Sequence, residues 1–408
     1  MPDYKIWIFF SDTGGGHRSA AEAIEATLEE VVAKDHPGCK LDLVMDTPAE
    51  RSHPVNRVFV DLYNRLLRHH QAWMKYYYWF LHAVRPDDSL IGYLLIKPFL
   101  RKLFGGDVPA VLVSVHPMIN HVLVRVRREM RLPFKLIVVV TDPNRDLWRG
   151  WGVEEADLTI VPNDLAADRL TSWGVPPERI RVLGMPVHPD FLRPPRIGRV
   201  EFLGSLGLDP RRLTVCLNAG WAGGGNMMQV FEKLSLVKRP IQALFLCGHN
   251  SELFEQARAY AARLSVKTAV LPFHDSMADV MSACDLMVTK AGGLTTFEAI
   301  ARRLPIAFDV ITPPMPQESG TVEMLVQQKL AFALRRPEEI VRVVEQVGPV
   351  PVPDREKQPL PPAHNLDQTY ASYNIAKIVL AACEPSYDLV RDAAAYTADN
   401  WLSPEPSY

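Results

Sequence analysis

A histidine directly after three glycines gives this chain its first opportunity for acid–base chemistry. The segment Ser11-Asp12-Thr13-Gly14-Gly15-Gly16-His17-Arg18 lies where an apolar run of strand length ends and a helical pattern begins. Glycines there let the backbone turn tightly and approach a ligand, and the free N–H groups of a helix start favour an anion. His17 adds a group whose ordinary pKa lies near neutrality, placed to exchange a proton with a bound hydroxyl. The spacing is neither a Walker A loop, since no Lys-Ser/Thr follows, nor a GxGxxG dinucleotide fingerprint. A merely tight turn between strand and helix is the plainer alternative.

A second turn of the same kind is Thr289-Lys290-Ala291-Gly292-Gly293-Leu294-Thr295-Thr296-Phe297-Glu298. Backbone amides at Gly293–Thr295, with a Thr295 or Thr296 hydroxyl as cap, would hold a diphosphate at the positive end of a helix dipole. Glu298, one turn further on the same face, would accept hydrogen bonds from a ribose diol, or would instead close a capping box with Thr295. A third glycine-rich loop, Asn218-Ala219-Gly220-Trp221-Ala222-Gly223-Gly224-Gly225-Asn226, follows another apolar run. Cys247-Gly248-His249-Asn250 and Pro313-Pro314-Met315-Pro316-Gln317-Glu318 occupy equivalent places after later runs.

Positioning these turns requires strands that all end at the same edge. Short apolar runs at Lys5–Phe10, Leu41–Val44, Ala110–Val115, Leu136–Val140 and Leu158–Val161 alternate with loops and helical patterns, such as Arg18–Ala33 with Ala21, Ile24, Leu28 and Val31 on one face. The alternation predicts a parallel sheet covered on both faces. Prolines at 186, 189, 194 and 195 interrupt it, and it restarts at Leu213–Leu217, Ala243–Cys247, Ala269–Leu271, Leu286–Thr289 and Pro305–Asp309. Two successive doubly wound α/β domains follow, 1–190 and 191–347, with ligands expected at the carboxyl ends of the strands. Residues 348–408 read as a proline-rich segment, a helix over Tyr370–Cys383 and a flexible tail.

Composition narrows the class. The 408 residues carry 45 Lys+Arg against 47 Asp+Glu, a net −2, which excludes a nucleic-acid binder held by its overall field. No window reaches the 18 apolar residues of a membrane span, and the N-terminus does not read as a signal peptide. Five scattered cysteines without CxxC spacing read as reduced core thiols, not a zinc site. One stretch departs from the average. Between Phe59 and Phe104 lie eleven aromatics, and Arg57–Lys102 holds eight basic against three acidic residues.

Taken together, Ser11–Ile24, Val139-Val140-Thr141-Asp142, Val161-Pro162-Asn163, Gly174–Val187 and Met281–Gly292 resemble monogalactosyldiacylglycerol synthases and bacterial processive diacylglycerol glucosyltransferases, over roughly residues 5 to 335. The resemblance implies a GT-B fold, two Rossmann-like domains facing a central cleft, and inverting transfer from a UDP-sugar without cofactor or metal. It makes His17 the catalytic histidine, with Gly16, Gly220 and Gly292-Gly293-Leu294-Thr295 on the donor, the last four at the diphosphate. It puts Glu298 at the ribose, Phe273 and His274 at the uracil, and Gln317 and Glu318 at the sugar. Asp142 falls on the acceptor side. Where these relatives usually carry Gly-Pro-Gly-Thr, this chain has Gly292-Gly293-Leu294-Thr295, and its Thr141–Trp148 loop lacks their histidine.

With a lipid acceptor implied, the aromatic stretch acquires a meaning. A helix over Leu62–Leu81 presenting Leu66, Trp73, Tyr77 and Phe80, with Trp79 beside them, would dock on an anionic membrane, since Trp and Tyr favour the interface and Lys/Arg attract acidic headgroups. Ordinary core packing of the same aromatics is the alternative. The expectation is a cytoplasmic enzyme, peripheral on the inner face of the cell membrane, moving galactose or glucose from a UDP-hexose to diacylglycerol. A polyprenyl-linked or other hydrophobic acceptor, a nucleotide-sugar-binding protein without transfer, and a sugar-nucleotide epimerase are the alternatives.

Overall fold

The structure, a computed structural model, describes residues 3–13, 15–69, 73–348 and 370–397. These fall into two compact units. The first is drawn from Met1–Tyr63, Tyr76–Pro189 and Asn365–Tyr408, the second from Asn64–Lys75 and Asp190–His364. Each is built on a six-stranded parallel sheet.

In the first unit the strands are β1 (Tyr4–Phe9), β2 (Leu41–Asp46), β3 (Val111–Ser114), β4 (Lys135–Val139), β5 (Leu158–Val161) and β6 (Ile180–Val182), in the order β2-β1-β3-β4-β5-β6. Successive side chains of a strand point to opposite faces, so near-continuous apolar runs are what a sheet covered on both sides demands. Trp7 and Phe9 join Leu112, Leu136 and Val138 in one core layer, while Ile6 and Ile8 join Val111, Val113 and Val139 in the other. Helix α1 (Gly16–Asp35) lays Ile24 and Leu28 on the second layer, and the C-terminal helix (Ala371–Ala382) lays Ile375, Ile378 and Val379 beside them. That helix matches the expected Tyr370–Cys383 pattern but belongs to the first unit rather than to an appendage. Its Ser372 hydroxyl donates to the Val187 carbonyl. The proline-rich stretch 349–369 and the tail from 398 lie outside the described residues.

In the second unit β7 (Leu213–Asn218), β8 (Ile241–Leu246), β9 (Lys267–Leu271), β10 (Leu286–Thr289), β11 (Ile306–Asp309) and β12 (Ala331–Leu334) run in the order β12-β11-β10-β7-β8-β9. The chain passes from one unit to the other at Pro189–Asp190, inside the proline-interrupted stretch. Strands β6 and β12 have no counterpart among the sequence expectations. Both are edge strands of three and four residues, and a strand paired on one side only, with Arg181 in its middle or half-buried Phe332 and Ala333, leaves no long apolar run to read.

The expected single helix over Leu62–Leu81 is instead a pair, α3 (Pro54–His69) and α4 (Met74–Val84). Phe59 stacks on Phe80 at 6.5 Å between centroids and Tyr63 meets Tyr77 at 5.8 Å. A continuous helix would separate residues 59 and 80 by about 30 Å, so these ring pairs require the chain to double back. After α4 comes α5 (Leu90–Gly106), opened by the Ser89 side chain accepting from the Gly92 N–H. No helix among the described residues is long and apolar enough to cross a membrane.

Candidate active site

In the first unit three strand ends meet around His17. The turn after β1 is closed by Gly15, whose φ of 86° is the left-handed conformation glycine adopts without penalty, and α1 starts at Gly16. A Cβ on Gly16 would meet nothing within 4 Å, so the helix start opens on free space. His17 Nδ1 lies 2.8 Å from the Val115 carbonyl, one residue past β3, and 3.1 Å from Thr141 Oγ1, two residues past β4. A carbonyl can only accept, so Nδ1 carries the proton and Nε2 presents a lone pair. Among the described residues Nε2 has no partner.

Burial, opposed only by the Val115 hydrogen bond, pushes the pKa of His17 down to about 4, so the imidazole is neutral at physiological pH. Its neighbours keep it so. His116 lies edge-on at 4.6 Å and is itself held well below its ordinary pKa by burial and by His17. Trp151, fully buried, is 6.2 Å away and donates its indole N–H to Asp142 at 2.7 Å. Burial raises Asp142 to about 6, against the lowering pull of that hydrogen bond. Gly150, beside Trp151, is needed for close approach, because a Cβ there would stand 2.4 Å from the Pro117 carbonyl. The turn itself is braced at its outer end. Ser11 Oγ and the Asp12 N–H both reach Glu50, and Arg18 forks onto Asp12 at 2.6 and 2.7 Å.

The second unit gathers its turns at the strand ends in the same way. The loop after β7 crosses three left-handed glycines, Gly220, Gly223 and Gly225, and is clamped on the turn after β8. Gly248 approaches so closely that a Cβ would stand 2.1 Å from the Gly220 carbonyl. Asn226 closes the loop onto β11 by donating its backbone N–H and its side-chain amide to Asp309 at 2.7 and 3.0 Å. After β10, Gly292 is the N-cap of α12 (Gly293–Ala301), and no side chain caps the helix. The expected Thr295 or Thr296 cap is therefore not formed. Thr296 Oγ1 donates to the Gly292 carbonyl at 2.7 Å, the i−4 bond that a helical threonine makes with its own backbone. Neither is there a Thr295–Glu298 capping box, and the first N–H groups of α12 are left for a ligand. Leu294 and Glu298 are buried.

Phe273 and His274 follow β9. The Phe273 ring is exposed and stacks on His249 at 4.3 Å and 15°, while Trp221 meets His249 edge-on at 5.0 Å. His274 turns away from this stack, accepting from the Ser276 N–H and packing edge-on against Phe202. Gln317 and Glu318 lie in the first turn of α13 (Pro316–Gln327), where Glu318 accepts from the Met315 N–H. The site residues thus divide by unit. His17, Asp142 and Gly16 belong to the first, and Gly220, Phe273, His274, Gly292–Thr295, Glu298, Gln317 and Glu318 to the second. His116, Trp151, Lys290, Asp309 and His249 went unselected in the sequence, although each lies within a dozen residues of a strand's carboxyl end.

Of the aromatics expected at a membrane, Trp73, Trp79 and Phe80 are exposed. Tyr77 is not available in the same way. It turns inward against Tyr63, its hydroxyl reaches the Phe59 carbonyl, and burial pushes its pKa to about 12. Other exposed apolar side chains crowd the same stretch: Val55, Val58 and Leu62 on α3, Tyr76 and Val84 on α4, Leu90, Ile91 and Leu94 on α5. Isolated exposed hydrophobes are ordinary, and these are concentrated on three helices that follow one another in the chain.

Two Rossmann-like units in series, each with glycine turns at its strand ends, define the GT-B class of two-domain α/β protein. The fold is shared across nearly the whole chain with a putative UDP-N-acetylglucosamine 2-epimerase from Listeria monocytogenes, at 14% identity and a TM-score of 0.59, covering 95% of this chain and 98% of that one. It is shared likewise with Acinetobacter baumannii MurG, at 13% identity and a TM-score of 0.53, covering 93% and 99%. Residues 17–187 match the monogalactosyldiacylglycerol (MGDG) synthase family, and residues 226–331 the glycosyltransferase family 28 C-terminal domain. By both matches the chain is similar to the MGDG synthase family. The chloroplastic MGDG synthase of Spinacia oleracea is 31% identical over 84% of this chain and 66% of its own length. MGDG synthase 1 of Arabidopsis thaliana is 30% identical over 83% and 64%. The chain thus spans slightly less than two thirds of the length of these relatives.

Proposed function

We propose that this protein is an inverting glycosyltransferase that moves a hexose, galactose or glucose, from a UDP-sugar to diacylglycerol. The observation that carries this reading is the neutral His17. Its Nδ1–H is held by the Val115 carbonyl and its Nε2 is left with a lone pair, within a segment that matches the MGDG synthase family. In the proposed step the acceptor hydroxyl gives its proton to Nε2 as its oxygen forms a bond to the anomeric carbon. The bond from that carbon to the diphosphate oxygen breaks, and its electron pair leaves with UDP. Attack opposite the leaving group inverts the anomeric centre. Thr141 and Val115 fix the ring and its tautomer, as a second group must if a histidine is to present one chosen nitrogen.

The second unit would hold the donor. The uncapped N-terminus of α12 carries partial positive charge suited to a diphosphate, Phe273 backed by His249 offers a flat face for uracil, and the resemblance would put the buried Glu298 at the ribose. Transfer would need no metal, so a chelator should leave the rate unchanged. The exposed apolar side chains of α3, α4 and α5 would carry the protein to the lipid surface that holds its acceptor, with exposed basic residues of the same stretch, Arg57 and Arg65 among them, drawn to anionic headgroups. Association with the inner face of a cell membrane follows from this reading.

The test is incubation of purified protein with diacylglycerol-containing vesicles and radiolabelled UDP-galactose, UDP-glucose or UDP-N-acetylglucosamine, followed by lipid chromatography. Label in a monohexosyl diacylglycerol is the expected result. Label only in a polyprenyl-linked product, or conversion of the UDP-sugar without lipid, would replace the reading with another.

A further inference from the structure

Lys290 lies half-buried among the second unit's glycine turns, and none of the roles above uses it. It stands one residue past β10, two residues before the N-cap of α12. Its stem lies along the loop after β7: a Cβ on Gly225 would be 3.6 Å from its Cγ and Cδ, and a Cβ on Gly220 would be 3.7 Å from its Cε and 4.0 Å from its Nζ. Gly220 therefore leaves open the space beside the ammonium, whereas beside Gly225 a Cβ would stand 2.9 Å from the Asp309 carboxylate. Among the described residues Lys290 makes no hydrogen bond and no ion pair.

The acidic groups near it make no direct hydrogen bond or ion pair with it among the described residues. Asp309 has committed both carboxylate oxygens to Asn226 and also accepts from the Ile311 N–H. Glu318 is drawn to the Met315 N–H at the start of α13. Both favour the charged lysine electrostatically, yet burial outweighs them and lowers its pKa. An ammonium held partly out of water, with no direct partner among the described residues, is stabilised by an anionic ligand that completes it. The free N–H groups at the start of α12, two residues on, favour the same sign of ligand.

We propose that Lys290 is the cation that meets the diphosphate of the bound nucleotide sugar and offsets the charge gathering on UDP as the glycosidic bond breaks. The inference rests on the donor reading above and adds to it a side chain that acts on charge developing in the transition state. Helix N–H groups alone supply about half a unit charge, whereas an ammonium in a water-poor site supplies a full one at the leaving group. Lys290 thus contributes both to holding UDP and to the rate of transfer, while nucleoside recognition rests on the separate aromatic stack.

Calorimetry with UDP and with uridine, on the full chain and on Lys290→Met and Lys290→Arg, tests this. Lys290→Met should weaken UDP binding at least tenfold, leave uridine binding unchanged and lower kcat further, with Lys290→Arg recovering most of the UDP affinity. Equal UDP affinity in wild type and Lys290→Met would overturn the inference and leave the donor reading standing. Equal loss of UDP and uridine would also overturn it, in favour of a structural role. A wild type that binds neither would remove the donor reading and this inference together. Should Lys290→Met unfold in a thermal melt, wild type and Lys290→Arg suffice. After reductive 13C-methylation, a lysine resonance absent from Lys290→Arg should move when UDP is added and stay still with uridine. A resonance unmoved by UDP counts against the inference.

Discussion

The turn that carries His17 and the turn that carries Lys290 use one backbone device for opposite electrostatic ends. Each follows a parallel strand, turns on glycine, opens a helix and buries a basic side chain beside it. In the first unit burial wins outright: the imidazole gives up its charge, and its one proton is fixed on Nδ1 by Val115. In the second, burial lowers the pKa of the lysine, while Glu318 and Asp309 oppose the shift and favour its charged form. The intrinsic pKa of the residue, not the geometry of the turn, decides whether the site becomes a base or an anion receptor.

That contrast can be broken most severely at the second turn. Gly248→Ala would place a Cβ within 2.6 Å of the carbonyls of Gly220 and Trp221, both backbone atoms that cannot swing aside. The loop over Lys290 would have to move. UDP affinity is expected to fall about a hundredfold, roughly 3 kcal/mol, measured by calorimetry, while the His17 cluster in the other unit keeps its pKa. A smaller effect is expected away from both turns. Replacing Trp79 and Phe80 together by alanine removes two exposed aromatics and should weaken binding to anionic, diacylglycerol-containing vesicles about tenfold, on the scale of interfacial partitioning of such rings, with UDP binding untouched. Unchanged vesicle sedimentation would mean that the apolar surface of α3, α4 and α5 serves another partner.

The smallest effect sharpens the first turn. His17 drops from an ordinary 6.5 to about 4 on folding, so the unfolded chain binds more protons between those values and the group makes stability rise with pH across that window. Asp142 moves from 3.8 up to about 6, so the folded chain binds more protons and stability falls as pH rises between 3.8 and 6. The two slopes oppose each other in the wild type. His17→Gln should expose the falling slope and Asp142→Asn the rising one, read as urea midpoints between pH 4 and 6.5. Parallel profiles in both variants would show that these groups do not titrate as their surroundings require.

The sequence made the sheets legible wherever strands were buried on both faces, because Ile6, Ile8, Val111 and Val113 must be apolar whichever way they point. It concealed β6 and β12, of three and four residues, too short to stand out as runs, although the other two edge strands, β2 and β9, were legible, and it merged α3 and α4. Their aromatic faces repeat at helical spacing across residues 70–72, and only the Phe59–Phe80 and Tyr63–Tyr77 pairs show that the chain reverses. At the site, glycine turns announce themselves by composition. The groups that tune them do not: Val115 acts through a carbonyl that every residue possesses, and Trp151 and His249 come from elements remote in sequence. Lys290 stood inside a motif already selected for its glycines, and its significance lies in lacking a partner, a property of the fold that spacing does not encode.

The proposed function divides the labour: the first unit would activate the acceptor and the second would hold the donor. The most direct measurement is kcat for hexose transfer to diacylglycerol alongside UDP affinity in His17→Ala. The prediction is a loss of roughly 10²–10⁴-fold in kcat, the range of a general base, with the UDP dissociation constant within twofold of wild type. Transfer at the wild-type rate without His17 would contradict the account.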